Sequence, residues 1–434
     1  DNLGLLAIQK GLINAGIDNL AVFPEEGIDA RSWYEDQSLE ELATPLISQA
    51  AGPQGENTIY GISAGTEDYW RFMVLSTFIR EHLPKATIAA GGYHFVRENL
   101  VLSNGKRVMD PIEKVLEKSP SGLSFADVAI QGHGDTFVRL LSEFEGDVSA
   151  ANIKGLYRLD SDGKVAGYGK GKFPTIEGII MSVKERGTVV QEIEIILPDS
   201  CNNGCDFCSI IPWGSPFNED TIIRELDKAM QGKDLSVLIF NNSNPFMTTA
   251  TTARYDRILT ELNRLGHAYC TQFYLDPGTL FERGEEVIDF LHRHNTHQVF
   301  IGRDATNARA AEAIGTKYNR VLRDQQQLDQ EKKAIGAFTQ KFGQKNLGIP
   351  RRIVLSYILD PFVEREEEAL SIIAEMEVFR KLTDDKVIVK PQIGMLAPYP
   401  GTKMKERFVD LLLDPEDPYT HIISANAWKY EAGR

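Results

Sequence analysis

Short apolar runs alternate along this chain with longer stretches in which apolar side chains recur every third or fourth position. An unbroken or alternating apolar run fits a strand, and a repeat of about 3.6 residues fits a helix with one covered face. Over residues 1–150 the pattern predicts a helix at 3–15, strands at 20–23 and 58–62, a helix at 69–82, and strands at 86–90 and 126–130. Strand and helix in turn predict a parallel, doubly wound α/β sheet of Rossmann-like type. The first helix follows directly on Asp1 and Asn2, read as its caps, so the strand expected ahead of it lies outside the sequence.

Between 151 and 188 the pattern breaks at Gly155, Gly163, Gly167, Gly169, Gly171, Pro174 and Gly178, which predicts a linker or a small bridging sheet. Alternation resumes at 193–197, 236–240, 269–275, 298–301, 353–359 and 386–394, with helical stretches between. These units are too few for a closed eight-stranded barrel, so the expected form is an open, partial (β/α)6 TIM-like barrel with ligands at the carboxyl ends of its strands. The glutamine- and lysine-rich run 322–341 reads as a solvent-exposed helix. The expected boundaries are 1–150 for the Rossmann-like domain, 151–188 for the bridging segment, 189–402 for the partial barrel and 403–434 for a carboxyl-terminal extension.

Composition narrows the functional classes. With 434 residues, 42% of them hydrophobic and 25% charged, the chain is globular and long enough for more than one core. Its net charge of -15 argues against a nucleic-acid partner, which would need clustered Lys and Arg. No apolar stretch is long enough for a membrane span and no signal sequence opens the chain, so no membrane partner and a cytoplasmic location are expected. Of four cysteines, three fall close together, an arrangement that suits a metal or redox site better than a disulfide framework.

Those three lie in Asp199-Ser-Cys-Asn-Asn-Gly-Cys-Asp-Phe-Cys208, directly after the first strand of the predicted barrel. Cys201, Cys205 and Cys208 stand at C-x3-C-x2-C spacing, and Gly204 lets the loop wrap a small metal cage. Three thiolates would leave one iron of a [4Fe-4S] cluster open to a chelating ligand. Buried core cysteines, or a zinc site completed by a histidine, are the other readings of the same residues. Cys270 stands apart on another strand and reads as packing.

The cysteine loop resembles the hallmark of the radical-SAM superfamily, and Phe207, an aromatic before the last cysteine, matches it too. The resemblance implies a [4Fe-4S] cluster on the three cysteines, S-adenosylmethionine as cosubstrate cleaved to a 5'-deoxyadenosyl radical, and an electron donor of flavodoxin or ferredoxin type. It implies S-adenosylmethionine contacts at Phe207, at Asn241 and Asn242 after the second barrel strand, and at Arg303 and Asp304 after the fourth. Asparagines stand where the family usually shows acidic residues. The segment 397–402, reading Ala-Pro-Tyr-Pro-Gly-Thr, is similar to a turn of the subgroup with an amino-terminal cobalamin-binding domain.

Two fragments of the first domain resemble the same subgroup: Gly91, Gly92, Tyr93 and His94 after one strand, and Gly132, His133 and Gly134 after the next. Glycines there admit a bulky ligand, and Thr136 opens a helix whose free N–H groups suit phosphate or amide oxygens. The resemblance implies bound cobalamin. Two departures stand against it: Gly-His-Gly-Asp replaces the usual Gly-Glu-Gly-Glu, and no Asp-x-His-x-x-Gly loop supplies a lower cobalt ligand.

The expected activity is cobalamin-dependent methylation of an unactivated carbon in a small, secondary metabolite. The alternative is a radical dehydration, rearrangement or oxidation, such as diol dehydration of an aminosugar in antibiotic biosynthesis, with a vestigial cobalamin-type domain. Residues that could hold and deprotonate substrate hydroxyls are then Glu192, Glu194, Tyr274, Asp276, Tyr357 and Asp360, all near strands or strand ends. A non-catalytic iron-sulfur protein is the third reading.

Overall fold

A computed structural model describes residues 8–9, 11–13, 15–17, 59–64, 69–92, 94–118, 122, 124–132, 134–143, 152–171, 180–186, 190–196, 204–208, 218–241, 244–318, 321–343, 350–359, 365–383, 386–395 and 399–411. The chain divides into two compact units, residues 1–176 with 398–424 and residues 177–397 with 425–434. Both are α/β.

In the first unit, β1 (Ile59–Ser63), β2 (Thr87–Gly91), β3 (Val128–Ile130), β4 (Leu156–Leu159) and β5 (Val165–Gly167) form one sheet in that order. The first three strands are parallel and the last two antiparallel. Ile88, Ala89 and Ala90 are all buried, as befits a parallel strand covered on both faces. The segment expected to be a separate bridge thus supplies β4 and β5, an antiparallel hairpin that continues the parallel sheet. Helices α1 (Tyr69–His82), α2 (Pro111–Leu116) and α3 (Asp135–Glu143) accompany the sheet. Asp110 caps α2 in a reciprocal box with Glu113, and Pro111 supplies a preset first turn. Burial pushes the Asp110 carboxyl up to about 6. The expected strand at 20–23 lies outside the described residues.

Residues 399–411 follow the last strand of the second unit yet pack with the first. Thr402 caps α10 (Lys403–Phe408) by accepting from Lys405 N–H. Glu98 accepts from Gly401 N–H at 2.6 Å and from Lys405 Nζ at 2.5 Å, with both side chains of the ion pair almost wholly buried. Val409 closes a small apolar cluster with Leu100 and Val108. The expected boundary at 402 therefore differs from the packing, because Glu98 and these apolar side chains draw the Tyr-Pro-Gly-Thr turn and α10 onto the first unit.

The second unit is built on a sheet ordered β14-β13-β10-β9-β8-β7-β6. Its strands are β6 (Ile180–Arg186), β7 (Val190–Ile196), β8 (Leu235–Asn241), β9 (Tyr269–Leu275), β10 (Thr296–Asp304), β13 (Arg351–Leu359) and β14 (Val387–Met395). From β7 to β14 every pairing is parallel, and β6 pairs antiparallel with β7 at one edge. Among the described residues no ladder joins β14 back to β6 or β7. The connections carry α4 (Glu219–Met230), α5 (Thr249–Arg264), α6 (Pro277–Arg293), α7 (Ala308–Ile314), α8 (Gln325–Phe342) and α9 (Arg365–Lys381), plus a small ladder of β11 (Lys317–Tyr318) with β12 (Val321–Leu322).

The two faces of this sheet differ. Ile193, Ile195, Leu238, Phe240, Phe273, Val299, Ile301, Ile353 and Leu355 belong to one buried core with side chains of the helices. Phe240 stacks on Phe273 at 5.0 Å, and Phe290 of α6 meets Phe273 edge-on. The intervening residues, Glu192, Glu194, Gln272, Tyr274, Gln298, Phe300, Val354 and Ser356, are half-buried, and Arg352, Lys390 and Gln392 are exposed. Successive side chains of a strand point to opposite faces, so these form a second face with a polar lining. The run expected to be a solvent-exposed helix is α8, whose buried side includes Leu328, Glu331, Ile335, Phe338 and Phe342. Its charged residues and glutamines hid an apolar stripe at helical spacing.

Candidate functional site

Cys205 and Cys208 are half-buried cysteines on the loop that follows β7. Cys208 N–H donates to Cys205 O at 3.1 Å, closing a turn that contains Asp206 and the half-buried Phe207. Gly204 enters this turn with φ +64°, and the space beside its Cα is open. The turn is docked on the segment after α7: Asp206 N–H donates to Gly315 O at 3.1 Å, and Cys205 Sγ lies 3.7 Å from Lys317 O. Lys317 Nζ stands 2.6 Å from Asp206 Oδ1. Gly315 is the left-handed cap of α7, and a Cβ there would fall 2.6 Å from the Asp206 side chain. Cys201 lies outside the described residues, among which no three metal-ligating side chains cluster. Cys270 is buried on β9, and burial pushes its thiol up to about 11, which makes it unreactive.

Asn241 ends β8, in register with Ile196, while Asn242 lies outside the described residues. Arg303 and Asp304 end β10 and part company. Arg303 is fully buried on the helix-covered face, where Nε donates to Glu375 at 2.9 Å, Nη1 to Glu331 at 3.3 Å, and Nη2 to Leu328 O at 3.2 Å and to Glu375 at 3.3 Å. It is a bolt between β10, α8 and α9 and not an S-adenosylmethionine contact, because its donors are committed inside the core. Asp304 takes a left-handed backbone, φ 56°, at a register shift between Gly302 and Asp304. A side chain held in that region stores strain that the surroundings must impose. Its carboxylate lies 3.5 Å from Arg323, and its pKa is pushed up to about 7, chiefly by burial, against the pull of Arg323 and with the charge of Asp276 adding to the rise.

The substrate candidates divide in the same way. Glu192, Glu194 and Tyr274 lie on the polar face. Tyr274 stacks on Phe300 at 4.8 Å, and burial, then the charge of Glu194, raises its phenol pKa. His297, near Glu192 and Arg352, is held below its ordinary value by burial, and its Nδ1 stands 3.1 Å from Thr271 O. Asp276 accepts from Gly278 N–H at 2.8 Å as the cap of α6. Tyr357 is a correction: it is fully buried on the covered face, where its hydroxyl donates to Glu375 at 3.0 Å. Asp360 lies outside the described residues. The sequence reading passed over Gln272, Gln298, Arg352, Asp206 and Lys317. The first three carry a signal, polar side chains alternating with buried apolar ones. The last pair carries none, since a contact across 111 positions has no local signature.

In the first unit, the glycines at the strand ends are filled by the protein itself. A Cβ on Gly92 would fall 2.4 Å from Ala64 O, one on Gly132 2.6 Å from Gly171 O, and one on Gly134 2.3 Å from the Ile8 side chain. Only Gly91 has ordinary clearance, 3.9 Å to Ile130 Cβ. His94 is fully buried, with its ring 4.4 Å from Tyr69 and edge-on to Phe95 at 5.5 Å. It is a core side chain rather than the cobalamin contact that the resemblance implies, because these rings enclose it. Tyr93 and His133 lie outside the described residues.

No protein-family model matches the chain, and no curated protein matches it in sequence. Solved structures do. The cobalamin-dependent S-adenosylmethionine radical enzyme OxsB, with aqua-cobalamin and S-adenosylmethionine bound, superposes with a TM-score of 0.61 at 12% identity, over 97% of this chain and 61% of that one. The radical S-adenosylmethionine methyltransferase TsrM from Kitasatospora setae, with cobalamin and a [4Fe-4S] cluster bound, gives 0.55 at 13% identity, over 92% of this chain and 73% of that one. The chain therefore shares its fold with cobalamin-dependent radical-SAM enzymes, and it spans about three fifths of the length of OxsB. No helix among the described residues is long and apolar enough to cross a membrane.

Proposed function

We propose that the chain is a radical-SAM enzyme acting on a small polar molecule, with its second unit in the role of the partial barrel and its first in that of the cobalamin-type domain. The observation that carries this reading is the cysteine turn: two half-buried cysteines beside an open glycine, within the C-x3-C-x2-C spacing and on a fold shared with such enzymes. This donor set fits a [4Fe-4S] cluster, held by Cys201, Cys205 and Cys208. When bound, the cluster supplies reductive cleavage of S-adenosylmethionine, with electrons from a flavodoxin- or ferredoxin-type donor.

The chain's own residues do the rest. Asp304, half protonated near neutral pH, holds or releases one proton at the end of β10 beside Asp276. Asn241, at the end of β8, is assigned a polar contact with S-adenosylmethionine on the resemblance of its segment to the second barrel strand. The polar face of the sheet orients substrate through Glu192, Glu194, Gln272, Tyr274 and Gln298, and the Tyr274–Phe300 stack offers an aromatic wall.

Cobalamin stands differently. At the strand ends Gly92 and Gly132 face backbone, Gly134 faces the Ile8 side chain, and His94 is core. We derive no step through it; its support is the likeness of fold. Methylation of an unactivated carbon is the reading that this likeness favours, and dehydration or rearrangement of a hydroxylated substrate is the one that the polar face favours. Anaerobic reconstitution with iron, sulfide and hydroxocobalamin, followed by desalting and metal counts, separates them. Cobalt equal to protein, with methylated product, supports methylation; iron without cobalt overturns it in favour of dehydration. A loaded chain that never yields 5'-deoxyadenosine from S-adenosylmethionine overturns both.

A further inference from the structure

The hairpin β11–β12 touches three parts of the second unit. Tyr318 lies over the start of α6, where a side chain on Gly278 would fall 2.0 Å from its ring. Arg323, just past β12, donates to Arg303 O at 3.3 Å and to Glu331, and it stands beside Asp304. Lys317 meets the cysteine turn twice, through its carbonyl at Cys205 Sγ and its ammonium at Asp206. The hairpin is thus fixed to α6 and to the end of β10, and Asp206 is the residue by which the cysteine turn is fixed to the hairpin.

We propose that Lys317 and Asp206 are positioning residues for the cluster ligands, setting where Cys205 and Cys208 stand before any iron arrives. This rests on the reading of the three cysteines as cluster ligands. Thiolates that must converge on one cage bind it more tightly when the chain carrying them is already ordered, because less freedom is lost on binding. The Asp206–Lys317 pair is built for that ordering. Its side chains are only 19% and 15% exposed, against 33% and 67% for the surface pair Glu261–Arg264. The backbone bond from Asp206 to Gly315 holds the same residue a second time, and the turn sits this close only because Gly315 has no Cβ. Neither residue would be a ligand of the cluster; both would act through Cys205 and Cys208.

The test uses the whole chain, reconstituted anaerobically, as wild type and as Asp206→Ala, Lys317→Met, Lys317→Arg and Gly315→Ala. The readings are iron and sulfide per chain, the rate of iron loss to a ferrous chelator, and the melting temperature of the iron-free protein. Asp206→Ala and Lys317→Met are expected to lose iron roughly 10- to 100-fold faster, the usual cost of removing a residue that orients a metal ligand. Their iron-free melting should stay close to wild type, Lys317→Arg should restore most of the retention, and Gly315→Ala should lose iron at least as fast as Asp206→Ala. Iron loss from Asp206→Ala and Lys317→Met within about twofold of wild type, well below that usual cost, overturns the proposal. So does a Lys317→Arg protein as leaky as Lys317→Met, or iron-free melting that falls in step with iron loss. A wild-type chain that takes up no iron overturns the cluster reading and this inference with it, whereas a loading wild type with unchanged variants overturns this inference alone.

Discussion

Arg303 and Asp304 are adjacent on β10, yet they belong to different environments. Arg303 enters the helix-covered face, where two carboxylates and a carbonyl take up its donors. Asp304 lies at the carboxyl end of β10 on a strained backbone, with Arg323 at a looser 3.5 Å. Arg303 is admitted to the covered face with its hydrogen-bond partners, because an unpaired buried charge is costly, whereas Arg351, at the start of β13 on the same face, lies over the Phe342 ring at 4.2 Å. The other face leaves Glu194, Gln272 and Gln298 half-buried among polar neighbours, and a surface that must receive a ligand needs groups in that condition. The contrast therefore separates what holds the sheet from what is free to do chemistry.

The comparison can be broken most directly at Arg303. Arg303→Met would remove a shared partner of two buried carboxylates, leaving Glu331 to Arg323 and Glu375 to Tyr357 and Lys332, and urea denaturation should show a loss of about 3 kcal/mol. Phe273→Ala, on the same face, removes a ring stacked between Phe240 and Phe290 and should cost about 3 kcal/mol or more, whereas Gln272→Ala, one residue away on the other face, should stay within about 0.5 kcal/mol. Equal losses at 272 and 273 would abolish the distinction between the faces.

Asp304 sharpens the contrast through pH. Its folded pKa lies above the ordinary carboxylate value, so the folded state holds the proton more tightly than the unfolded chain does. Its contribution to stability is then complete below about pH 4 and is lost as pH rises through about 7. Asp304→Asn, which tolerates a left-handed backbone, should flatten that part of the stability curve in denaturant titrations across this range. An unchanged slope would remove Asp304 as a proton-holding group. The smallest effect is expected from Tyr274→Phe, which keeps the stack on Phe300 and should shift stability by less than about 0.5 kcal/mol in thermal melts. A larger loss would mean that the phenol is bonded into the structure and is not available to a ligand.

Much of this organisation was legible in the sequence. The strands of the second unit and most of its helices follow from apolar periodicity, and the loop that carries Cys205 and Cys208 from its place after the first barrel strand. The error at Arg303 came from reading a charged residue at a strand end as a ligand contact. Val299, Ile301 and Arg303 share one alternating set, so the period itself assigns Arg303 to the covered face. Tyr357 follows Ile353 and Leu355 in the same manner. His94 and the strand-end glycines were not legible, because what fills the space beside Gly92 is the backbone at Ala64, far away in sequence. The Lys317–Asp206 contact escaped for the same reason.

The ion pair of Glu98 with Lys405 makes the first unit discontinuous, its two partners separated by 307 positions. A ribosome adding roughly 5–20 residues per second would need about 15–60 s to pass from one to the other. The amino-terminal sheet therefore emerges well before the segment that covers Glu98. Until Lys405 follows, that carboxylate must stay hydrated and the site around it unclosed. The second unit's sheet, continuous from β6 to β14, can form its core in the meantime, so the sheet made first is closed over only after the sheet made second.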